Sequence, residues 1–361
     1  MTVHRRRLIA ASALALGGCA IEVPPGLLPT SRATVNSLLP LQRIAFGSCA
    51  DQTLPQPIWD TVLADKPDLV IFGGDNVYAS DTPFSLDSLQ KAYAIAGAIP
   101  SLQRLRAAVP HFAIWDDHDY GVNDGGGEFL HKHDTKQAFL DYWKVPQGDR
   151  RRSRDGIYDS LVVGPPGQRV QIIGLDTRWF RSPLKITDER GKPGKERYVP
   201  DADPAKTLLG EAQWRWLGEQ LRQPADLRLV VSGIQVVVDG HGWERWGNFP
   251  LERKRLVDLI RDTRAGGVIF LSGDRHIGAL YREASATPYP LYEMTSSGIT
   301  HPWKNASEAG PNRLGELFTD LHFGSVDIDW ASRSVRLSLK DLGGAERRSQ
   351  RIKLSELQVA V

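Results

Sequence analysis

The chain has 361 residues, of which 41% are hydrophobic, enough for a large buried core in one domain or two smaller ones. Its 45 lysines and arginines nearly balance 43 aspartates and glutamates, for a net charge of +2. This balance excludes a protein drawn to nucleic acid or anionic membrane by its overall field, and no nucleic-acid-binding surface is evident, so partners must be recognised at local sites.

The first 18 residues are typical of an export signal peptide with a lipobox. Three arginines at positions 5–7 precede an apolar run at positions 8–16, which is too short to span a bilayer. The run ends in Leu-Gly-Gly-Cys, similar to the site at which lipoproteins are cleaved and lipidated. We therefore expect lipidation of Cys19 and attachment of the chain to a membrane through this lipid.

The export signal leaves the route open between Sec and twin-arginine export, because adjacent arginines are present without the full twin-arginine signature. Ala20 is not the aspartate that commonly retains lipoproteins at the inner membrane. This favours the periplasmic face of the outer membrane in a host with two membranes. Residues 19–42 are rich in proline and small polar residues and are predicted to form a tether, and residues 43–361 to form one domain.

From residue 43 onward, strand-like and helix-like segments alternate, which predicts an α/β fold. The predicted strands are 43–49, 68–74, 111–117, 156–164, 168–176, 227–238, 267–274, 291–297, 325–330 and 334–341. The predicted helices are 57–65, a helical region within 85–108, 134–144, 210–222 and 251–265. Since a proline and glycine turn joins 156–164 to 168–176, we expect this pair to be an antiparallel addition to the sheet.

Polar clusters follow several of the predicted strands. The densest is Phe112–Asp124, FAIWDDHDYGVND, where an apolar run ends in four carboxylates, a histidine and an asparagine. These negative charges repel one another unless a bound cation neutralises them or exposure to water screens the repulsion. Similar clusters end DLVIFGGDNVY and GVIFLSGDRH, and ligands collect at the carboxyl ends of strands in open α/β sheets. Acids and glycines also favour turns, and this preference could account for any one cluster. It does not account well for all the clusters occurring at strand ends, so we expect three strand ends to converge on metal.

Cys49 is one of two cysteines in the chain, and lipidation of Cys19 would leave it unpaired. Three interpretations stay open: a thiolate metal ligand, a buried inert thiol, or a disulfide with Cys19.

The motifs FGSC, GDNVY, WDDHD and SGDRH, in this order, resemble the PhoD-like alkaline phosphatases, a branch of the dinuclear metallophosphoesterases. The segments IGLDTRWFR, LGEAQWRWL and EMTSSGITH are also similar, so the resemblance covers residues 44–301. It implies a four-layer α/β/β/α sandwich of two mixed sheets with metals between the sheet edges. It also implies hydrolysis of small phosphate esters by a metal-held hydroxide, with phosphomonoesterase, phosphodiesterase and phospholipase D-like activities all open.

The resemblance implies two metal ions and six metal ligands, with Asp75 as the bridging residue. A thiolate and a phenolate favour Fe3+ and carboxylates suit Ca2+, with Zn2+, Mn2+ and Mg2+ as alternatives. The six ligands are Cys49, Asp75, Tyr78, Asp117, Asp274 and His276.

Two residues beside the implied ligands are assigned to catalysis by the same resemblance. His118 would protonate the leaving group or donate a hydrogen bond to the transition state, and Asp119 would orient its imidazole. The alternative for His118 is a histidine that neutralises its acidic neighbours.

Four further residues are candidates for substrate binding: Asn123, Arg178, Gln235 and His241. Arg178 is either a phosphate clamp or the partner of Asp176 in a structural ion pair. Gln235 stands where the superfamily has a histidine. His241 belongs either to a pocket loop or to a plain exposed loop, and Asn123 would bind phosphate or metal through its amide.

Two aromatic features lack an assigned task. The segment 243–249 is either a substrate lid or a packed surface turn, and the resemblance places His301 near the site. The rival function from another class is a lipid-anchored metal-binding scaffold that keeps the fold without hydrolysis. A calcium-dependent sugar-binding module is disfavoured because the acids follow α/β strands.

Overall fold

The computed structural model describes residues 35–79, 82–285 and 289–359. The predicted signal peptide, Cys19 and most of the predicted tether lie outside these ranges. Within them, none of the helices combines the length and apolar character needed to cross a membrane.

Strands and helices alternate along the described chain as the sequence predicts. The strands are β1 (Arg43–Gly47), β2 (Leu69–Gly73), β3 (His111–Ile114), β4 (Asp159–Val163), β5 (Val170–Gly174), β6 (Leu227–Ser232), β7 (Val268–Ser272), β8 (Gly278–Glu283), β9 (Leu291–Ser296), β10 (His322–Asp329), β11 (Ser334–Asp341) and β12 (Glu346–Lys353). The helices are α1 (Ile58–Ala64), α2 (Leu86–Ala98), α3 (Pro100–Ala108), α4 (Asp117–Tyr120), α5 (Lys132–Tyr142), α6 (Gly210–Leu221) and α7 (Pro250–Asp262).

The strands form two mixed sheets of six strands each. The first has the order β12-β11-β10-β1-β2-β3, in which β1, β2 and β3 are parallel and β10 to β12 are antiparallel. The second has the order β4-β5-β6-β7-β9-β8, with parallel strands at its centre and antiparallel β4 and β8 at its edges. The predicted antiparallel addition is therefore confirmed at the edge strand β4.

The two sheets pack face to face, and helices cover their outer faces. Gly174 of β5 lies so close to β3 that a Cβ there would come within 2.6 Å of the Phe112 ring. On the outer face of the first sheet, Trp59 of α1 packs against Phe72 with ring centroids 5.4 Å apart. On the second sheet, Gln171 donates to a backbone carbonyl of α6. These layers form the predicted α/β/β/α sandwich.

Several elements differ from the sequence prediction, among them the edge strand β8 and the short helix α4, neither of which was predicted. The helical region within 85–108 is two helices, because Pro100 starts α3 at its first turn and Ile99 before it is extended. The predicted strand 227–238 ends at Ser232, and the rest of that apolar run is a buried loop. The edge strand β12, with the charged sequence ERRSQRIK, was not predicted, because its side chains are mostly exposed and lack apolar alternation.

The described end of the predicted tether lies against the first sheet. Leu41 is buried, and the backbone N–H of Gln42 donates to Asp68 Oδ2 over 2.7 Å. The domain boundary at residue 42 stays a prediction.

The fold brings the carboxyl ends of β1, β2 and β7 together. Gly273, just after β7, approaches the other sheet so closely that a Cβ would lie 2.5 Å from Ser48 Oγ and 3.2 Å from the carbonyl oxygen of Gly73. Only glycine fits this approach, and it sets the two sheet edges at contact distance where the polar clusters begin.

Candidate active site

Asp75 lies at the centre of the converging strand ends. Its Oδ2 is 3.5 Å from Cys49 Sγ and 3.5 Å from the Tyr78 hydroxyl, and that hydroxyl is 3.1 Å from His276 Nε2. Cys49, Asp75 and His276 each offer a ligand atom within 4.8 Å of the other two. Sulfur, oxygen and nitrogen donors from three strand ends therefore surround one point.

A carboxylate-rich set adjoins this first set. Ligand atoms of Asp75, Asp117 and His118 lie within 4.8 Å of one another, and so do those of Asp116, Asp117 and Asp274. Asp75 belongs to both the sulfur-containing set and the carboxylate-rich set, as a bridging ligand must. The structure thus brings together all six residues predicted to bind metal.

The side chains in these sets fit cations. Asp116 Oδ2 and Asp117 Oδ1 are buried and have no hydrogen-bond partner among the described residues. Burial, and then the charges of Asp117 and Asp116, raises the pKa of Asp75 well above its ordinary value. Burial also raises the pKa of Asp274 to about 8, although Arg275 opposes it. Carboxylates held so close together in a dry site need a positive charge among them.

The remaining donors of the first set agree with this conclusion. Burial, helped by His301 and His118, lowers the pKa of His276 to about 3, so its ring is neutral and keeps a lone pair for a metal. Burial raises the pKa of both Cys49 and Tyr78 well above the ordinary value. A coordinated cation would offset that cost and hold them as thiolate and phenolate.

Four of the predicted ligands have left-handed backbone conformations. The φ angles are 62° at Cys49, 50° at Asp75, 68° at Asp274 and 54° at His276. Side chains other than glycine adopt this region at a conformational cost, and such residues cluster at functional sites. No sequence pattern signals this strain.

His118 lies where the sequence places it, beside the ligands. Its ring packs against that of Tyr78 at a tilt of 32°, with centroids 4.1 Å apart, and its Nε2 is 3.9 Å from Asp117 Oδ1. The side chain is 20% exposed, so it can meet a substrate that enters from solvent.

Asp119 was predicted to orient the His118 ring, but its hydrogen bonds go to other groups. Its Oδ1 accepts hydrogen bonds from the backbone N–H groups of Asp116 and Asp75, at 2.7 Å and 3.2 Å. Its Oδ2 accepts from the backbone and the side chain of Asn76, at 3.2 Å and 2.5 Å. Asp119 therefore fixes the loops that carry Asp75 and Asp117, which corrects the prediction.

Arg178 is the second correction. Its side chain is fully buried, donates from Nε to Asp116 Oδ1 over 2.7 Å and donates from Nη1 to Glu244 Oε2 over 2.7 Å. From Arg178, Asp176 accepts only the backbone N–H, at 3.0 Å, and the guanidinium pairs with the other two acids instead. A guanidinium enclosed by two carboxylates neutralises the acidic cluster from behind and does not clamp phosphate.

Gln235 and His241 form a buried pair. Gln235 Oε1 lies 3.0 Å from His241 Nε2, and His241 Nδ1 accepts the backbone N–H of Trp243 over 3.1 Å. Gln235 Nε2 donates to Thr295 Oγ1 over 2.9 Å. Because these groups satisfy one another, the pair shapes the loop between β6 and α7, and the exposed-loop alternative for His241 is wrong.

Asn123 is exposed on the loop after α4. The next residue, Asp124, had no predicted role. Asp124 offers an oxygen within 4.8 Å of Asp117 and Glu244, and its Oδ2 also accepts from Arg197 Nη1 over 2.6 Å. The sequence pattern pointed to Asp124 as part of the acidic run but contained no signal for Glu244.

A family model described as PhoD-like phosphatase matches residues 44–314. Alkaline phosphatase D of Bacillus subtilis is 24% identical over 285 residues, which cover 69% of this chain and 47% of the relative. The chain therefore spans about half the length of this curated relative.

Two solved structures share the fold. A structure of PhoD superposes with a TM-score of 0.66 at 17% identity, covering 90% of this chain and 70% of the other. The purple acid phosphatase PPD1 from yellow lupin (Lupinus luteus) seeds superposes with a TM-score of 0.55 at 13% identity, covering 88% and 54%. Both support the two-sheet sandwich.

The first testable prediction concerns Arg178. Replacing it in an Arg178→Met variant leaves Asp116 and Glu244 as buried charges without their common partner, which costs about 3–5 kcal/mol of unfolding free energy. The matched control is Arg104→Met, which removes an exposed pair with Asp60 and should cost at most about 1 kcal/mol. Urea unfolding measures both, and equal losses would contradict the proposed neutralising role.

The second prediction concerns metal removal and pH. In metal-free protein, burial raises the folded-state pKa of Asp119 to about 7 and of Asp274 to about 8. The stabilisation from such raised groups is full below the unfolded pKa of about 4 and is lost as pH rises through the folded pKa. Chelated protein should therefore lose about 1 kcal/mol or more between pH 5 and pH 8, as measured by urea unfolding.

Metal-loaded protein is the control for this pH series, since a cation bound at Asp274 would hold that carboxylate ionised throughout the range. A chelated protein that is as stable at pH 8 as at pH 5 would show that the cluster does not carry the charge described above.

Proposed function

Because this chain belongs to the PhoD-like phosphatase family, we propose that it is a metal-dependent hydrolase of phosphoric esters. The observation that carries the proposal is the convergence of Cys49, Asp75, Tyr78 and His276 with Asp117 at the meeting edge of the two sheets. These residues supply the donor types needed for two cations that share one carboxylate.

We propose Fe3+ for the set containing Cys49 and Tyr78, because thiolate and phenolate suit a ferric ion. The carboxylate-rich set around Asp117 and Asp274 suits Ca2+, with Zn2+, Mn2+ and Mg2+ as alternatives. When bound, the pair of cations would lower the pKa of water and neutralise the charge of the phosphoryl oxygens.

The protein's own groups then position the substrate and move a proton. His118, held against the Tyr78 ring and accessible from solvent, would give its proton to the leaving oxygen of the ester. Asp119 and Asn76 hold the two ligand-bearing loops at a fixed separation. The backbone N–H of His118 also donates to Asp75, so His118 is in position before the substrate binds. Arg178 balances the charge of Asp116 without entering the substrate site.

We propose that small phosphate esters are the substrates, with monoesters and diesters as the two classes to compare. We also propose that the protein is exported and anchored by a lipid on Cys19 at the periplasmic face of a membrane. The sequence of the leader supports this placement, and the outer membrane is favoured because of Ala20.

The decisive experiment uses Asp75→Asn. Asparagine removes the shared negative charge, so both metal content and turnover should fall, turnover by at least about 100-fold. Elemental analysis gives the metal content, and 4-nitrophenyl phosphate with bis(4-nitrophenyl) phosphate reports the two ester classes. The control is Asp87→Asn on the exposed face of α2, which should change neither quantity.

Two results would reject parts of this proposal. A variant at Asp75 that retains full metal and full turnover would reject the site. Wild-type protein that holds metal, absorbs visible light as ferric phenolate or thiolate does, and hydrolyses neither ester would support the scaffold function instead.

His118→Ala tests the proton donor. The variant should lose about 10²- to 10⁴-fold in turnover of esters with poor leaving groups and much less with 4-nitrophenol, which leaves without a proton. Turnover across a series of aryl phosphates of increasing leaving-group pKa measures this slope. An equal loss for all leaving groups would contradict the role, and His131→Ala on the exposed start of α5 is the control.

A further inference from the structure

Two arginines and two tryptophans from separate loops form a continuous rim, defined here as Arg197, Trp243, Arg275 and Trp303. The Trp243 and Trp303 rings meet edge to face with centroids 5.7 Å apart. The guanidinium carbon of Arg197 lies 5.2 Å from the Trp243 centroid, and that of Arg275 lies 5.0 Å from it. Arg275 is also 5.9 Å from the Trp303 centroid.

One end of the rim is hydrogen-bonded to the carboxylate-rich side of the site. Arg197 Nη1 donates to Asp124 Oδ2 over 2.6 Å, and the Tyr198 hydroxyl donates to the same oxygen over 2.8 Å. Asp124 in turn lies within ligating reach of Asp117. The rim therefore begins next to the residues proposed to hold one cation.

The other end is tied to the sulfur-containing side. The backbone N–H of Trp303 donates to the carbonyl oxygen of His276 over 2.6 Å. Two residues earlier, the His301 ring packs against both Tyr78, at 4.7 Å, and His276, at 4.2 Å. The rim thus runs from one proposed cation set to the other, alongside the centre.

The base of the rim is rigid and its outer ring is open. Arg275 is 7% exposed and pairs with the buried carboxylate of Glu308 over 2.8 Å, so its charge is fixed beneath the two indoles. Trp303 is 40% exposed, which leaves a large flat apolar surface beside residues that contact the metal ligands. A solvent-facing indole on a fixed cationic base is a surface on which a planar ring can stack.

We propose that this rim binds the organic group of the substrate and selects phosphate esters that carry a planar ring, an inference that rests on the proposed hydrolase function. Stacking on Trp303 would hold the ring while the phosphoryl group lies at the cations. Esters with a small hydrophilic group, such as glycerol, would lack this contact. Aromatic surfaces bind planar rings strongly enough to change selectivity by an order of magnitude.

The experiment compares 1-naphthyl phosphate with glycerol 3-phosphate as substrates of metal-loaded wild-type protein and Trp303→Ala. The effect of the variant is taken separately for each ester, so the intrinsic reactivity of the leaving groups cancels. We expect kcat/KM for the naphthyl ester to fall about tenfold, equivalent to ~1.4 kcal/mol, and that for the glycerol ester to fall less than about twofold. Trp303→Phe should retain most of the selectivity, and Trp303→Leu, which keeps apolar bulk without a ring, should lose it.

Trp330→Ala is the matched control. Trp330 also packs under an arginine, with Arg333 6.0 Å from its centroid, but it lies beyond the amino end of β1, opposite Cys49. Its removal should leave the ratio between the two esters unchanged.

The outcomes separate the two proposals. If wild-type protein hydrolyses both esters and Trp303→Ala lowers both equally, the rim does not select the substrate and only the hydrolase proposal stands. If wild-type protein hydrolyses neither these esters nor the nitrophenyl esters, the hydrolase proposal falls and the rim proposal falls with it.

Discussion

Buried negative charge at the meeting edge of the two sheets is the constraint on which the rest of the site depends. Five carboxylates lie there, four of them on buried residues and that of Asp274 partly buried, and their mutual repulsion must be relieved. They are relieved in different ways. Asp119 receives four hydrogen bonds from the polypeptide, and Asp116 receives the guanidinium of Arg178. We propose that Asp75, Asp117 and Asp274 share cations instead, so the acids of this edge would differ in how their charge is compensated.

The sequence placed all six proposed metal ligands shortly after apolar strands, and the fold brings the carboxyl ends of those strands together. It did not predict how neighbouring side chains divide their tasks. His118 and Asp119 are adjacent, but successive residues of the short helix α4 point about 100° apart, so one faces the ligands and the other the loops beneath. The partners of Arg178 are equally hidden from sequence, since Glu244 is 66 residues away on a loop whose path depends on packing.

In the fold as well, the sequence pattern predicts where most elements lie, but it does not predict details that depend on packing. Alternation of apolar segments was enough to predict ten of the described strands and most helices, but not the edge strands β8 and β12. The run 233–238 resembles a strand because most of its residues are apolar, but they are apolar because they form a buried loop. Glu293 accepts the backbone N–H groups of Val236 and Val237 at 2.9 Å and 2.6 Å, replacing the hydrogen bonds of a sheet neighbour. A buried loop and a buried strand therefore share one sequence pattern, and only the source of backbone hydrogen bonds distinguishes them.

The strand ends and the loops of the site differ in how freely their residues can change. The proposed ligands follow strand ends, and four of them have left-handed conformations that the surrounding sheet edges must maintain, so few changes there can be tolerated. The rim is built from loops, and its members contact the ligands mainly through the backbone of Trp303 and the carboxylate of Asp124. Changing the ring at position 303 leaves that backbone hydrogen bond in place. Ester selectivity can therefore vary with the loops while the chemistry held by the strand ends stays the same.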